Sequence, residues 1–391
     1  MARILFTVPP LTGHLNPALA VADALQRQGH VVAWAVHAAA LADKLPATAI
    51  LYPLDDQAAF ALGGLSPQVR GLESVRLFFE DYALPMARAA WPHLQQAVHD
   101  FQPDVLVVDH QMLAGALVAR QSGRPWVSLV STSASILRMS ETLDAWVAAQ
   151  MAALQQDLLP APLRVERPDF SPHAVLVFSV RELLAANAVM WPAPYHFVGP
   201  VRGSGRRHID FPWTWLRPGR PLVLVSLGTV SRDRDTRFFS VMMQAARDLP
   251  LQMVLVAPES LQAEAPDNVL VRAYVPQIDL LTRAAAVICH AGHNTVCEAL
   301  AAGLPLGLAP IRDDQPVIAR QVIDAGAGLF IRHGKVSPAM ARQALLRLLE
   351  DAALRQRAQA LGDILRAQGG EEEAARQIVA IARQHALQPV A

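Results

Sequence analysis

Short, continuously apolar runs alternate with longer segments of helical periodicity, and this alternation occurs in both halves of the 391-residue chain. Such runs are typical of strands buried on both faces, and their alternation with helices is typical of a parallel sheet covered by helices. The first half predicts strands at Arg3–Val8, Val31–Val36, Asp104–Val108, Trp126–Val130 and Val175–Phe178. The second half predicts strands at Leu222–Ser226, Gln252–Val256, Val269–Arg272, Ala286–Cys289, Leu306–Ala309 and Leu329–Ile331. We therefore expect an α/β protein with two doubly wound, Rossmann-like domains facing across a cleft.

A stretch rich in Gly, Pro and Arg separates the two series and is typical of an interdomain linker. We predict an N-terminal domain at 1–202, a linker at 203–220 and a C-terminal domain at 221–370, followed by a last segment at 371–391. Trp213 and Trp215 lie in the linker, and we expect them to pack against a domain surface.

Composition excludes several classes of protein. The chain is 52% hydrophobic and 17% charged, unlike a disordered chain. Its 34 basic and 34 acidic residues cancel, so the basic excess of a nucleic-acid binder is missing. Two cysteines are too few for a disulfide scaffold. Without a signal-peptide pattern or an apolar run long enough to cross a membrane, a cytoplasmic location is expected, and the Ala- and Arg-rich composition suggests a bacterial source.

The turn after the first strand contains His14. We predict a helix over Asn16–Gln28, with Asn16 as its N-cap, Pro17 in its first turn and Gly29 as its C-terminal cap. His14 then lies at the mouth of the cleft, and the helix N-terminus favours a neutral imidazole that can act as a base. The alternative is a surface or packing histidine.

Asp109 ends an apolar strand and is expected at the same edge. It could accept the second ring N–H of His14 and stabilise the imidazolium that forms during proton transfer. The alternative is a cap for the helix that starts near Met112. His110 is a rival candidate for the base.

The segment 289–316 combines several polar residues with a strand end and a helix start. His290 ends a strand, the small turn Ala291–Gly292 allows a ligand to approach the backbone, and a helix opens near Asn294 and Thr295. A helix N-terminus binds anions, so this arrangement predicts a diphosphate site.

Three further side chains extend this segment toward the rest of a nucleotide sugar. Glu298 could accept hydrogen bonds from ribose hydroxyls, while Asp314 and Gln315 could bind sugar hydroxyls. Each alone is also compatible with a cap or a solvated loop.

Two metal-binding patterns compete with this interpretation. Cys289, His290, His293 and Cys297 have a zinc-like spacing, and a D-x-D triplet stands at 233–235. A diphosphate site also accounts for the residues that lie between these four positions, which a zinc site does not. The triplet at 233–235 lies in a polar loop, where acidic residues are usually solvated. We therefore expect no metal.

Five motifs together resemble the family-one glycosyltransferases of GT-B fold, above all the bacterial branch that glycosylates macrolides, carotenoids and other lipophilic natural products. They are GHLNP at 13–17, PDVLVVD at 103–109, VSLGT at 225–229, YVPQIDLL at 274–281, and HAGHNTVCEALAAGLP at 290–305 with DDQP at 313–316. They occur in the family order across nearly the whole chain. This resemblance implies a GT-B fold, in which the last segment at 371–391 packs back on the N-terminal domain.

The resemblance also assigns roles to individual residues. His14 matches the general base and Asp109 its partner. The donor site matches Gly228, Thr229, Tyr274, Val275, Gln277, His290, Gly292, Asn294, Thr295, Glu298, Asp314 and Gln315. Tyr274 replaces a common tryptophan, Ala291 replaces a common glycine, and His293 replaces a residue that is often, but not always, tryptophan. Phe78, Phe79, Tyr82 and Met86 are candidates for an apolar acceptor pocket, although their helical spacing is also typical of core residues.

The predicted function is an inverting, metal-independent transfer of a hexose from a UDP- or dTDP-sugar to a hydroxyl of a lipophilic acceptor, with no cofactor besides the sugar nucleotide. The alternatives are a sugar-nucleotide epimerase or hydrolase of the same fold, and an inert helper of a partner transferase. The expected partners are the nucleotide-sugar donor and the acceptor, with no nucleic acid. The sequence does not decide whether the protein contacts a membrane surface. It also does not decide between a monomer and a homodimer.

Overall fold

Two compact units make up the chain. A computed structural model describes residues 1–41, 44–55, 72–202, 209–228 and 236–386, the side chains of Ala40 and Leu72 excepted. The first unit consists of Met1–Ser179, Asn187–Gly205 and Gln368–Ala391, and the second of Val180–Ala186 and Arg206–Ala367. Among the described residues, no helix is long and apolar enough to cross a membrane.

The first unit is built on a seven-stranded parallel sheet with the order β3-β2-β1-β4-β5-β6-β7. The strands are β1 (Arg3–Thr7), β2 (Val31–Val36), β3 (Ile50–Pro53), β4 (Val105–Asp109), β5 (Trp126–Val130), β6 (Val175–Val177) and β7 (Tyr195–Phe197). The helices are α1 (Thr12–Arg27), α2 (Ala38–Leu41), α3 (Leu72–Leu77), α4 (Leu84–Phe101), α5 (Leu113–Ser122), α6 (Glu141–Leu158) and α13 (Gly370–Ala386), with short 3₁₀ turns at Ser133–Ile136 and Ala161–Leu163.

Successive residues of the central strands enter opposite faces of this sheet, and both faces are covered. In β1, Ile4 and Phe6 join the core under α1 and α13, while Leu5 joins the core under α4 and α5. This two-sided burial explains why the strands have continuous apolar runs. The edge strands β3 and β7 were not predicted, because they are short and more exposed.

The second unit repeats this design on a six-stranded parallel sheet with the order β10-β9-β8-β11-β12-β13. The strands are β8 (Leu222–Ser226), β9 (Gln252–Val256), β10 (Val269–Arg272), β11 (Ala284–Cys289), β12 (Leu306–Leu308) and β13 (Gly328–Phe330). The helices are α7 (Thr236–Ala246), α8 (Gln277–Leu281), α9 (His293–Ala301), α10 (Gln315–Asp324), α11 (Pro338–Glu350) and α12 (Ala352–Ala367), with 3₁₀ turns at Arg181–Leu183, Trp213–Trp215, Glu259–Glu264 and His333–Lys335. The predicted α/β class and the two parallel sheets are confirmed.

The segment predicted as a linker packs on the second unit wherever it is described. The guanidinium of Arg283 lies 4.7 Å from the ring centroid of Trp213. The backbone N–H of Arg217 donates to Oε1 of Gln252 at 2.8 Å, and the Gln252 amide donates back to the Arg217 carbonyl at 3.3 Å. Residues 209–220 therefore form a structured part of this unit instead of a free connection.

The last helix, α13, completes the core of the first unit. It buries Ala374, Ala375 and Ile378 in the same apolar cluster as Phe6. At its start, Glu372 accepts a 2.7 Å hydrogen bond from Arg27 of α1. The chain thus leaves the first unit, builds the second and returns.

Each sheet has one position at which the strand order reverses, between β1 and β4 in the first unit and between β8 and β11 in the second. In open α/β sheets, ligands bind outside the carboxyl ends of the strands at such a switch point. The predicted catalytic pair and the predicted diphosphate site lie at these two positions.

Candidate active site

His14 lies in the first turn of α1, not before it. The helix begins at Thr12 with Leu11 as its N-cap, and the N–H groups of His14 and Leu15 both donate to the Leu11 carbonyl at 3.0 Å. The prediction that Asn16 is the N-cap was therefore wrong. An Asn-Pro pair is disfavoured inside a helix, and here the tertiary structure overrides that local preference. The predicted C-terminal cap is confirmed, since Gly29 has φ of +81°.

The imidazole of His14 is hydrogen-bonded to the carboxylate of Asp109. Their Nδ1 and Oδ2 atoms are 2.8 Å apart, and the side chain of Asp109 is 1% exposed. The other oxygen, Oδ1, accepts the backbone N–H of Gln111 at 2.9 Å. Asp109 does not cap α5, whose N-cap is Met112. The structure thus brings the two predicted catalytic residues together.

The electrostatics of this pair favour an ionised Asp109. Burial alone would raise the pKa of Asp109, but the charge and hydrogen bond of His14, the charge of His110 and the N–H of Gln111 together lower that pKa below its usual range. A carboxylate can only accept, so Nδ1 of His14 is the protonated nitrogen and Nε2 is the basic one.

A second contact of the His14 imidazole, with a hydroxyl group, was missed by the sequence analysis. Oγ of Ser131 lies 3.0 Å from Nδ1 of His14. Ser131 follows β5, which pairs with β4. Ser131 is 117 residues from His14 along the chain, so no local motif marks this contact.

The rival base His110 is buried and engaged by its own partners. Its Nδ1 is 3.3 Å from the carbonyl oxygen of Leu129, and its Nε2 is 2.8 Å from Oγ of Ser135. Burial lowers the pKa of His110. Since both ring nitrogens have hydrogen-bond partners, His110 is the poorer candidate for a base.

Ligand atoms of His14, Asp109 and His110 lie within 4.8 Å of one another, a spacing that could hold a metal ion. The hydrogen bonds among these residues and their serine and backbone partners account for the arrangement without one. The cluster is consistent with a proton relay.

Of the candidates for the acceptor pocket, Phe78 is partly exposed, whereas Phe79, Tyr82 and Met86 are buried. Phe78, Phe79 and Tyr82 lie in a π-helical turn at Phe78–Ala83, and their rings contact one another at centroid distances of 5.5 and 5.6 Å. The Tyr82 hydroxyl has no hydrogen-bond partner among the described residues, and burial and the charge of Asp109 raise its pKa. Phe79, Tyr82 and Met86 are thus core side chains and not the lining of an open pocket.

His290 stands at the switch point of the second unit between two glycines. A Cβ built on Gly228 would lie 2.7 Å from the His290 ring, and one built on Gly292 would lie 2.6 Å from it. Among the described residues, Nδ1 of His290 has no hydrogen-bond partner. Burial lowers the pKa of His290 to about 4, against the opposing hydrogen bond to the Ser226 backbone. The imidazole is therefore neutral near pH 7 and could offer an anion a hydrogen bond, not a full charge.

The turn after His290 has an unusual backbone. Ala291 has φ of +66°, in the left-handed region that favours glycine. The helix α9 follows directly, with Gly292 as its N-cap and no side-chain cap hydrogen bond. This confirms the predicted helix start to within one residue. Asn294 and Thr295 lie in its first turn, as the anion-site prediction requires.

Two of the predicted base and ribose contacts are joined to each other. Nε2 of Gln277 donates to Oε2 of Glu298 at 2.6 Å. Tyr274 is 61% exposed, whereas Val275 is buried. The exposed ring of Tyr274 can stack on a base, and the Gln277–Glu298 pair could offer polar groups to a ribose.

The sugar-binding prediction needs one refinement. Oε1 of Gln315 accepts the backbone N–H groups of Ile311 and Arg312 at 2.8 and 3.1 Å. Gln315 therefore fixes the loop that precedes α10, and its NH₂ group is the part able to reach a ligand. Asp314 is the N-cap residue of α10. Thr229, predicted beside Gly228, lies outside the described residues, as does the triplet at 233–235.

Two of the four zinc-like residues contact each other, and a third is held as a thiol. His293 and Cys297 are neighbours on α9, with Nε2 and Sγ 3.4 Å apart. Burial raises the pKa of Cys289 to about 12, which disfavours the thiolate that zinc needs.

Comparison with known proteins covers nearly the whole chain. Residues 240–381 match the family described as erythromycin biosynthesis protein CIII-like, C-terminal domain. The chain is 27% identical to an NDP-glycosyltransferase of Bacillus subtilis, over 97% of each chain. It is 29% identical to the demethyllactenocin mycarosyltransferase of Streptomyces fradiae, over 96% of this chain and 85% of that protein. The crystal structure of the calicheamicin glycosyltransferase matches with a TM-score of 0.77 and 25% identity, over 98% of this chain and 99% of that one. The resemblance inferred from the five motifs is confirmed.

Proposed function

We propose that this chain, which has the GT-B fold, is a glycosyltransferase that transfers a hexose from a UDP- or dTDP-sugar to a hydroxyl group of a lipophilic small molecule, with inversion at the anomeric carbon. The observation that supports the proposal most is the 2.8 Å contact between Nδ1 of His14 and Oδ2 of Asp109 at the carboxyl ends of β1 and β4. It combines a base with the group that orients it, at the edge of the sheet where ligands bind.

In the proposed reaction His14 is the general base. Asp109 keeps the Nδ1 proton in place, so Nε2 takes the proton of the acceptor hydroxyl. The hydroxyl oxygen forms a bond to the anomeric carbon, while the bond from that carbon to the diphosphate oxygen breaks and its electron pair leaves with the nucleoside diphosphate. Attack opposite the leaving group turns an α-linked donor into a β-glycoside.

The donor half of the proposal uses the switch point of the second unit. The N-terminus of α9 and the neutral imidazole of His290 stabilise the charge that grows on the leaving diphosphate. Gln277 and Glu298 bind the ribose and base, and Asp314 with the NH₂ group of Gln315 binds the sugar. These contacts need no metal ion, so we expect full activity in the presence of EDTA.

A lipophilic acceptor is supported by the relatives. One relative is named as a transferase to demethyllactenocin, and a matching structure is the calicheamicin glycosyltransferase. We extend this chemistry to the present chain as an acceptor with an apolar skeleton and at least one hydroxyl.

The direct test is product analysis. The enzyme is incubated with UDP-glucose or dTDP-glucose and a panel of lipophilic alcohols and phenols, and the products are identified by mass spectrometry. The anomeric proton coupling in NMR then gives the stereochemistry, for which we expect a β-glycoside. Equal consumption of donor with and without acceptor would instead indicate a hydrolase or an epimerase.

A further inference from the structure

The loop between β12 and α10 contains an arginine that sequence reasoning did not select. The side chain of Arg312 is 10% exposed. Among the described residues its guanidinium forms one ion pair, with Nε 3.4 Å from Oδ2 of Asp313, whose own side chain is 48% exposed. A guanidinium has five N–H donors in a planar fork that matches phosphate oxygens. The single long contact engages only Nε, so the other N–H donors of the guanidinium remain for another anion.

The backbone holds this arginine beside the His290 turn. At the start of the loop, the N–H of Ala309 donates to the carbonyl of Cys289, the residue before His290, at 2.8 Å. At its end, the N–H of Arg312 donates to Oε1 of Gln315 at 3.1 Å. The positive charge of Arg312 also acts on the His290 imidazole and helps to keep it neutral. The loop therefore starts beside the strand that precedes His290 and is held at its other end by Gln315, and the charge of Arg312 acts on the His290 ring.

The negative charge of a bound diphosphate would be stabilised by a cation at this site. A nucleoside diphosphate gains negative charge as it leaves the sugar. The neutral imidazole of His290 provides a hydrogen bond, and the N-terminus of α9 provides roughly half an elementary charge. A nearly buried guanidinium would add a full positive charge and two parallel hydrogen bonds to phosphate oxygens.

We propose that Arg312 binds the diphosphate of the donor and stabilises the leaving nucleoside diphosphate, in exchange for its contact with Asp313. This inference rests on the proposed function, because it assumes a nucleoside diphosphate at the His290 turn. It makes Arg312 a catalytic residue of this chain that touches the leaving group.

Calorimetric binding of UDP, dTDP and the matching nucleosides to Arg312→Gln tests this role. We expect the variant to bind UDP and dTDP on the order of 10- to 100-fold more weakly than the wild-type protein, and to bind uridine and thymidine equally well. The affinity of the wild-type protein for UDP should fall more steeply with salt than that of the variant. The matched control is Arg320→Gln on α10, whose guanidinium is exposed and pairs with Asp324; it should bind all four ligands like the wild-type protein.

The outcomes separate this inference from the proposed function. If the wild-type protein binds neither UDP nor dTDP, the donor assignment fails and the inference with it. If the wild-type protein binds UDP or dTDP and Arg312→Gln binds it equally well, the inference alone is overturned. A variant that keeps UDP affinity but loses UDP-glucuronate would show that the guanidinium binds a sugar carboxylate instead.

A second variant protects the test against misfolding. Asp313 has φ of +56°, which asparagine tolerates, so Asp313→Asn removes the competing carboxylate without a new backbone strain. We expect it to bind UDP up to about fivefold more tightly, the range of an exposed ion pair. Weaker binding would contradict a guanidinium that exchanges Asp313 for the diphosphate.

Discussion

Each unit places a histidine at the switch point of its sheet, and the charged neighbours of the two histidines differ in sign. His14 follows β1 and contacts the buried carboxylate of Asp109 at 2.8 Å. His290 follows β11, has two glycines against its ring and lies near the cation of Arg312. A carboxylate stabilises an imidazolium, whereas burial and a cation disfavour it. His14 thus lies beside a carboxylate that can stabilise its charged form, whereas the surroundings of His290 keep that imidazole neutral.

This contrast explains the division of labour in the proposed reaction. Proton removal needs an imidazole whose charged form is stabilised after transfer. Binding of a leaving diphosphate needs donors that are in place before the bond breaks. The same fold supports both tasks, because the charged neighbour of the histidine differs: Asp109 beside His14 and Arg312 near His290.

Removal of the first histidine should have the largest effect. We expect His14→Ala to lower turnover by roughly 10²- to 10⁴-fold, the usual range for loss of a general base, with little change in donor affinity. The loss should shrink for acidic phenols, which ionise without a base. Steady-state kinetics with acceptors of different pKa measures this. Equal losses across all acceptors would show that His14 positions substrate instead.

The partner of His14 should matter less. We expect Asp109→Asn to reduce turnover by a smaller factor than His14→Ala, because the imidazole can still accept a proton without its orienting group. The kinetic comparison is direct, and an Asp109→Asn enzyme slower than His14→Ala would contradict a simple two-member relay.

Asp109 should also make folding stability depend on pH. Its folded pKa lies below the usual value, so the unfolded chain binds more protons as the pH falls. The stabilisation is complete above the unfolded pKa of about 3.9 and is lost as the pH falls through the folded pKa. Denaturant unfolding of the wild-type protein and Asp109→Asn should therefore give curves that converge at low pH.

The second histidine should act on donor binding instead. We expect His290→Ala to weaken UDP or dTDP affinity by about tenfold and to lower kcat, because a hydrogen bond to the growing charge is lost. With a pKa of about 4, His290 stays neutral from pH 5.5 to 8, so its contribution should be constant in that window. Unchanged affinity in calorimetry would remove His290 from the donor site.

Removal of the Ser131 hydroxyl should affect turnover less than the changes at either histidine. Loss of its hydroxyl contact with Nδ1 of His14 should lower kcat by about two- to tenfold, the value of one neutral hydrogen bond. A structural role alone would lower thermal stability and leave the pH profile of kcat unchanged. Ser131→Ala should instead shift the base limb of that profile while donor KM stays constant.

The smallest expected effect concerns the strained turn. Ala291→Gly should raise the free energy of unfolding by up to about 1 kcal/mol, since glycine adopts the left-handed conformation of Ala291 without a Cβ penalty but has more freedom when unfolded. The matched variant Gly292→Ala should damage donor binding, because its Cβ would lie 2.6 Å from the His290 ring. Thermal unfolding and UDP calorimetry measure the two effects.

The sequence predicted the strand ends well, because continuous apolar runs leave little doubt about which residues are buried in a parallel sheet. It therefore also predicted that His14 and Asp109 meet. It did not predict the start of α1, where the local signal of Asn16 and Pro17 was overridden by packing.

Ser131 and Arg312 were missed for a different reason. The position of Ser131 depends on which strand lies beside β4, and the importance of Arg312 depends on its burial. Neither is visible in a local motif. Gln315 was selected for a sugar contact, yet its amide oxygen binds the loop backbone, a role that requires the loop path to be known.

The return of the chain to its first unit has a consequence for synthesis. Ala374 and Ile378 of α13 are fully buried in the core that also contains Phe6. During translation, the first strands cannot complete their core until α13 is made, more than 350 residues later. Most of the second unit is contiguous in sequence and can fold as it leaves the ribosome. We expect the N-terminal half to stay open on the ribosome with an apolar face that chaperones can bind, so that the order of folding reverses the order of synthesis.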